Sequence, residues 1–327
     1  MKRNWFALLI GLLLFSHVLP LLAQSESVKQ YDSQDVQWRV RETVDYSAKP
    51  EKGAKSFLSV STDADGKIYV VDFTTIQIYD SKTGKHIGTL YDNTGTITKP
   101  MDIVATGDGN YWISDFNLVY KVDPSGKILS SVKFKTSTDL SDRGPGYINV
   151  DAEGNLYVSY GGNGGSLLIQ VFTTEGEYIR TILSDVDKLQ GIGEFVIASD
   201  NSIYFVGVGI EHVTEVDGKV VLEPFAPEFM AEQKFIQYKG LALDAEGNVY
   251  FNAGSDMDKT TSVYKLDKNG KLVGQYGVAQ ARENWGKNFG KDELSFTVSL
   301  AVASDGALII SDTNNLYSQL IKVNMQD

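Results

Sequence analysis

The chain has 327 residues, with 30 lysine and arginine residues against 42 aspartate and glutamate residues, and its formal net charge is −12. This negative charge opposes binding to nucleic acid or to anionic lipid, so neither is an expected partner. Cysteine is absent, which excludes disulfides and a cysteine nucleophile, so stability has to come from burial of a core.

The chain begins with a predicted signal peptide over residues 1–23. Lys2 and Arg3 form its positive start, the stretch Trp5–Phe15 is apolar, and cleavage is expected after Ala23. The alternative is a retained anchor, although a membrane span needs about 20 apolar residues. We therefore predict an exported bacterial protein, periplasmic or secreted, with no stable membrane span after cleavage of the signal.

The next two segments precede the repeats of the chain. Residues 24–35 are predicted to be a flexible leader. Residues 36–44 alternate apolar and polar side chains with a period of two, apart from Glu42, which is typical of a half-buried strand. This strand belongs to no complete repeat unit. We predict that it becomes the outer strand of the last unit and closes the ring, because closure removes unpaired sheet edges.

One short motif, a turn followed by a strand that carries an aromatic residue, occurs six times. Its turn position falls at Gly66, Gly109, Gly154, Asn201, Gly247 and Gly306. A second strand and turn follow each copy, but the sixth copy ends before its turn, so the units hold two hairpins each. Four strands repeated six times predict an all-β fold, a six-bladed β-propeller of four-stranded antiparallel blades over residues 36–327.

Three of these units resemble NHL repeats: Gly240–Phe251, Asp305–Asn315 and Val119–Ile128. The resemblance covers residues 55–327 and implies a six-bladed propeller. It implies little about activity, because propellers of this superfamily include binding modules, lyases, lactonases and sensor domains.

The resemblance also directs attention to the central channel. Gluconolactonase-like propellers hold a divalent metal ion there, with Glu, Asn and Asp side chains near the start of the inner strands. The corresponding column offers no oxygen ligand of the kind that Ca²⁺ requires; it consists of Leu58, Met101, Gly146, Gly193, Lys239 and Val298. The next column contains two carboxylates; it consists of Ser59, Asp102, Tyr147, Glu194, Gly240 and Ser299.

If this second column faces the channel, Asp102 and Glu194 could share a cation or act as an acid–base pair. A slip of one residue would turn them to the other face of the sheet. We predict a ligand-binding channel mouth, with a divalent cation as one alternative, from Ser59, Asp102, Tyr147, Glu194, Lys239 and Ser299.

Histidine gives no support for a lyase of known type. Propellers of the amidating-lyase and streptogramin-lyase types depend on histidine, and only His86 and His212 follow the signal segment. Their separate places in the repeat suit neither a three-histidine metal site nor a histidine base at the channel.

Two recurring residue types have a structural and a functional interpretation. An Asp follows the second strand in three units, at Asp72, Asp115 and Asp312. These acids either cap their own loops or form an acidic patch on one sector. A column of aromatic residues suggests packing between blades or a stack for a ligand; it consists of Tyr69, Trp112, Tyr157, Tyr204 and Tyr250.

The long connection over residues 277–296 departs from the repeat geometry. Unusual loops on a rigid scaffold often carry function, so Arg282, Trp285 and Phe289 are predicted contact residues. The alternative is a surface insertion without a role.

Together these patterns predict an exported, non-catalytic propeller that binds a partner through one face and its inter-blade loops. The expected partner is a protein, peptide or glycan of the cell envelope, and the protein is expected to be a monomer without a cofactor. The alternative is a metal-assisted hydrolase or lyase with its site at the channel mouth.

Overall fold

A computed structural model describes residues 28–45, 56–72, 74–90, 95–115, 118–132, 145–160, 168–182, 194–206, 209–216, 219–233, 237–254, 262–284, 286–314 and 316–326. The predicted signal peptide lies outside these residues. None of the helices in the described ranges has the length and apolar character needed to cross a bilayer.

The described strands form six four-stranded antiparallel blades, preceded by two strands that join the last two blades. These two strands are β1 (Lys29–Tyr31) and β2 (Val36–Thr43). Blade one contains β3 (Ser59–Thr62), β4 (Lys67–Asp72), β5 (Thr75–Asp80) and β6 (His86–Leu90). Blade two contains β7 (Pro100–Ala105), β8 (Tyr111–Asp115), β9 (Val119–Val122) and β10 (Ile128–Val132). Blade three contains β11 (Pro145–Val150), β12 (Leu156–Tyr160), β13 (Leu168–Phe172) and β14 (Tyr178–Ile182).

The second half of the ring carries the departures from the repeat. Blade four contains β15 (Phe195–Ile197), β16 (Ile203–Val206), β17 (Ile210–Val216) and β18 (Lys219–Phe225), and the helix α1 (Pro227–Gln233) follows it. Blade five contains β19 (Gln237–Leu243), β20 (Val249–Gly254), β21 (Ser262–Leu266) and β22 (Leu272–Tyr276). The connection to blade six holds β23 (Val278–Ala279), a 3-10 helix (Arg282–Asn284) and β24 (Glu293–Leu294). Blade six contains β25 (Phe296–Val302), β26 (Leu308–Thr313) and β27 (Tyr317–Val323), with β2 as its fourth strand.

The inner hairpin turn explains why the repeat motif begins with an acid and ends with glycine. In blade one, Asp63 accepts the Lys67 N–H through its side chain at 2.8 Å, and its carbonyl accepts the Gly66 N–H. Gly66 has a φ of 81°, where a Cβ would be strained. In the degenerate fourth copy Asn201 takes this conformation with a φ of 64°, which asparagine tolerates better than most residues.

The strand β2 closes the ring as the sequence predicts. It pairs antiparallel with β27 over seven residue pairs, from Val36 opposite Val323 to Thr43 opposite Tyr317. Side chains fasten this closing blade to blade one, because Trp38 Nε1 and Lys322 Nζ both donate to the carbonyl of Ser81, at 2.9 and 2.8 Å.

The leader prediction needs a correction. Lys29–Tyr31 form β1, which pairs in parallel with the outer strand β22 of blade five. Tyr31 is buried, and its hydroxyl donates to the carbonyl of Met325 at 2.9 Å. The segment over residues 24–35 therefore contains an ordered strand that covers the outer edge of blade five.

The aromatic column packs between blades, and two of its hydroxyl groups are hydrogen-bonded to turn acids. Tyr69 and Tyr250 are fully buried, and each hydroxyl donates to the turn acid six residues earlier, Asp63 at 2.7 Å and Asp244 at 2.9 Å. This arrangement favours the packing interpretation of the column over a stack for a ligand.

Candidate functional site

The six inner strands surround the central channel. Each of them contacts the inner strands of both neighbouring blades, including β25 with β3, so the ring is continuous. A cavity of about 240 Å³ lies between them, and all six inner strands contribute to its wall. Asp102 and Glu194 are the two carboxylates that line it.

Bulges interrupt the ladders at the start of four inner strands. The ladder between the inner and second strands slips at Pro100/Asp102 in blade two and at Thr297/Ser299 in blade six, with related slips in blades three and five. A bulge turns one side chain out of the alternation. Met101 is 42% exposed, whereas Asp102 is 6% exposed and lines the channel cavity.

Asp102 connects three blades through its carboxylate. One oxygen accepts the Ser59 hydroxyl of blade one at 2.7 Å and the N–H of Ile103 at 2.9 Å. The other oxygen accepts the N–H of Ile148 in blade three at 2.9 Å. The side chain is thus held by donors from both neighbouring blades.

Glu194 has the same role on the other side of the ring. It directly precedes β15, is 7% exposed, and accepts the N–H of Leu241 in blade five at 2.9 Å. Its other oxygen accepts the Ser299 hydroxyl of blade six at 2.7 Å. The Ser299 Oγ in turn accepts the N–H of Val60 in blade one at 3.1 Å, so the network continues across the closing seam.

Burial raises the pKa values of the two carboxyl groups by different amounts. It raises the pKa of Asp102 to about 6, against the hydrogen bonds from Ile148, Ser59 and Ile103 that favour the charged form. Burial raises the pKa of Glu194 to about 8, with the Asp102 charge as a further contribution. Near neutral pH Asp102 is therefore mainly ionised and Glu194 mainly protonated.

The remaining predicted channel residues divide into two sets. Ser59 and Ser299 belong to the network through the bonds already described. Tyr147 lies close to both acids, since burial and the charges of Glu194 and Asp102 all raise the pKa of its phenol. Lys239 does not join the network. Its ammonium lies 4.9 Å from the centre of the Phe296 ring, and burial lowers its pKa.

The structure gives little support for the predicted contact residues of the long connection. Trp285 lies outside the described residues, and Arg282 begins the 3-10 helix. Phe289 is 4% exposed, so it offers little surface to a partner. The contact role of this segment stays a prediction.

The described residues do not fit a metal cage. No group of three or more His, Asp or Glu side chains among them could hold an ion. Ca²⁺ takes about six to eight oxygen ligands, but the oxygens of Asp102 and Glu194 already accept hydrogen bonds from backbone N–H groups. His86 bonds to Gln77 at 2.8 Å, and His212 stacks on Tyr204 with ring centres 4.3 Å apart, so neither joins the channel.

The recurring acids after the second strands cap loops. Asp72 accepts the N–H of Thr75 at 3.1 Å, Asp115 that of Thr98 at 2.9 Å and Asp312 that of Ser295 at 3.0 Å. Asp72 thus caps its own loop, whereas Asp115 and Asp312 cap the segments that lead into the inner strands β7 and β25. All three side chains are buried, so they form no exposed acidic patch.

The sequence predicted the two channel carboxylates and the serines that donate to them, Ser59 and Ser299, but not their backbone partners. It did not predict that each would accept backbone N–H groups of other blades. The available signal was the column itself, where two acids stand among small and aromatic residues.

No protein-family model matches the chain, and a comparison with curated proteins finds no match. Solved structures do share its fold. A luciferin-regenerating enzyme superposes with a TM-score of 0.62 at 11% identity, covering 88% of this chain and 95% of the other. A streptogramin B lyase gives 0.57 at 15% identity, covering 88% and 98%. A calcium-binding protein, regucalcin, from Agrobacterium tumefaciens gives 0.58 at 16%, covering 83% and 92%. At these identities the likeness shows the fold alone.

Proposed function

We propose that the protein takes a small organic molecule into its central channel and acts on it as a hydrolase or lyase, with Asp102 and Glu194 as an acid–base pair. The observation that carries this proposal is the pair itself. Two carboxyl groups line one cavity, and their pKa values are raised to about 6 and about 8. Pairs of titratable groups with separated pKa values are typical of acid–base sites.

The protonation states assign the roles. At pH 7 Asp102 is mainly ionised and Glu194 is mainly protonated. Asp102 then accepts a proton from water or from an acidic group of the substrate. Glu194 donates a proton to the leaving oxygen. Exchange with solvent through the open channel restores both groups after each turnover.

The comparisons support the class of function and no more. A lyase and a luciferin-regenerating enzyme use the same fold, although a shared fold does not imply a shared reaction. Because one of the proteins with this fold is a calcium-binding protein, the test includes assays with and without EDTA. Since the described oxygens do not form a cage, the proposed steps use protein groups alone.

The test is a panel of chromogenic lactones and esters, assayed from pH 5 to pH 9 with and without EDTA. We expect kcat/KM to follow a bell with limbs near pH 6 and pH 8. D102N and E194Q should each lower it by about 100-fold or more, the scale of acid–base catalysis. The exposed turn acids Asp65 and Glu246 provide matched controls as D65N and E246Q. Two results would contradict the proposal. One is turnover that persists in both D102N and E194Q, and the other is an absence of turnover with every compound of the panel.

A non-catalytic binding role through the inter-blade loops is the second candidate. The observation in its favour is that both channel acids are already bonded within the ring. Under this alternative, D102N and E194Q lower the melting temperature of a protein without turnover, and the partner is a protein, peptide or glycan of the envelope. Under either candidate function, we propose that the protein is exported and monomeric.

A further inference from the structure

A second cavity, of about 550 Å³, lies where three segments of the chain meet. Ser33 comes from the segment between β1 and β2, Arg39 and Arg41 from the closing strand β2, and Lys291 from the long connection before blade six. Every charged residue that lines it is a cation, in a chain with a net charge of −12. We call it the seam pocket.

The two guanidinium groups of the seam pocket approach each other closely. Arg39 Nη1 donates to the carbonyl of Gly290 at 3.2 Å, and Arg41 Nη2 donates to the same oxygen at 2.7 Å. Arg39 also donates to the carbonyl of Lys291 and, at 2.7 Å, to the Tyr276 hydroxyl. Two like charges that share one carbonyl repel each other unless an anion compensates them.

The described residues supply only partial compensation. None of their carboxylates forms an ion pair with Arg39 or Arg41. The charge of Glu293 is felt at Arg41, and its carboxylate accepts the Gly290 N–H at 2.7 Å. The charge of Arg39 is felt at the buried carboxyl group of Asp312. Burial and the Arg39 charge lower the pKa of Arg41. A guanidinium has five N–H donors, and Arg41 uses one of them on Gly290.

A neutral polar group completes the pocket. The Ser33 Oγ is buried and has no hydrogen-bond partner among the described residues. Buried hydroxyls without a partner are uncommon in folded proteins, so each one calls for an explanation. A ligand oxygen in this pocket, which Ser33 also lines, would pair with the unused guanidinium donors.

We propose that the seam pocket binds a tetrahedral oxyanion, a phosphate or sulfate group carried by a small soluble ligand. A phosphate monoester carries a charge of about −1.5 to −2 at neutral pH, which balances two guanidinium groups. Arginine donors match the oxygens of such a group in a forked geometry. Lys291, which also lines the pocket, adds a third positive charge. The pocket is separate from the channel, so it binds whether or not the channel acids catalyse a reaction.

The test is isothermal titration of the intact protein with inorganic phosphate, sulfate and acetate at low ionic strength. We expect saturable binding of phosphate or sulfate and at least tenfold weaker binding of acetate. R41Q/K291Q should weaken phosphate binding at least tenfold, and R41K, which keeps the charge, should weaken it less. The control R180Q/K127Q removes the same charge from exposed positions on blades two and three and should bind as the parent does.

Three results would overturn this proposal. They are an absence of saturable binding by the parent protein, equal weakening in R41Q/K291Q and R180Q/K127Q, or acetate binding as tight as that of phosphate. A folded R41K variant, verified by its circular dichroism spectrum, keeps the comparison decisive if the double variant does not fold.

Discussion

Replacement of Glu194 by Gln should flatten the pH dependence of stability. Burial raises the pKa of Glu194 from an ordinary value of 4.5 to about 8, so the folded protein binds this proton more tightly than the unfolded chain. The stabilisation is therefore complete below about pH 4.5 and is lost as the pH rises through 8. At about 1.4 kcal/mol per pKa unit, the loss amounts to about 5 kcal/mol between these limits.

Glutamine keeps an oxygen for the Leu241 N–H, and its amide can donate to Ser299 Oγ, so the substitution retains the network while removing the ionisation. Urea denaturation at pH 5 and pH 9 gives the free energy of unfolding of each protein. The parent should lose several kcal/mol more than the variant over this interval. Burial also raises the pKa values of Asp102 and Asp312, to about 6 and about 7. Because both groups are present in the parent and in E194Q, part of the loss of stability with rising pH remains in both proteins.

The exposed turn residue Glu246 provides a control of equal charge as E246Q, which should follow the parent. If the parent and E194Q lose the same free energy from pH 5 to pH 9, Glu194 ionises normally in the folded state, and the reasoning from burial fails.

Four further predictions concern single features of the molecule. Deletion of residues 36–43 should sharply lower the melting temperature, because β27 loses its partner strand and the ring opens; an unchanged melting curve contradicts closure. Ser299→Ala should cost about 1–3 kcal/mol in urea denaturation, because Glu194 and the Val60 N–H lose a partner, and a neutral result would show that water replaces the hydroxyl. EDTA should leave the melting temperature unchanged, since the described oxygens form no cage; a downward shift would show that a metal ion is bound. N-terminal sequencing of the native protein should begin at Gln24, and a start at Met1 would show a retained anchor.

The fold could be predicted because it repeats. Six copies of one turn and strand motif, each with a residue that accepts positive φ at Gly66 or its equivalents, leave few alternatives to six blades. The closing strand could be predicted by counting strands, because the sixth unit lacks its outer strand and the predicted strand over residues 36–44 belongs to no other unit. The structure confirms both predictions.

The strand β1 could not be predicted, because three residues show no period and its partner β22 lies more than 200 positions away. For the channel site, the sequence could predict only which column of residues lines it, and not the hydrogen bonds between them. The donors that surround Asp102 come from blades one, two and three, and their register depends on a bulge at Pro100/Asp102 that no sequence pattern announces. The seam pocket was missed for the same reason, since Ser33, Arg41 and Lys291 are brought together only by ring closure.

Direct titration of the channel carboxyl groups tests the central claim most closely. Carbon-13 NMR of protein labelled at the side-chain carboxyls of Asp and Glu, with D102N and E194Q for assignment, follows each group from pH 4 to pH 10. The proposed acid–base pair predicts a midpoint near 6 for Asp102 and near 8 for Glu194. Midpoints below 5 for both groups would show two ionised carboxylates at neutral pH and would contradict the assignment of Glu194 as the acid.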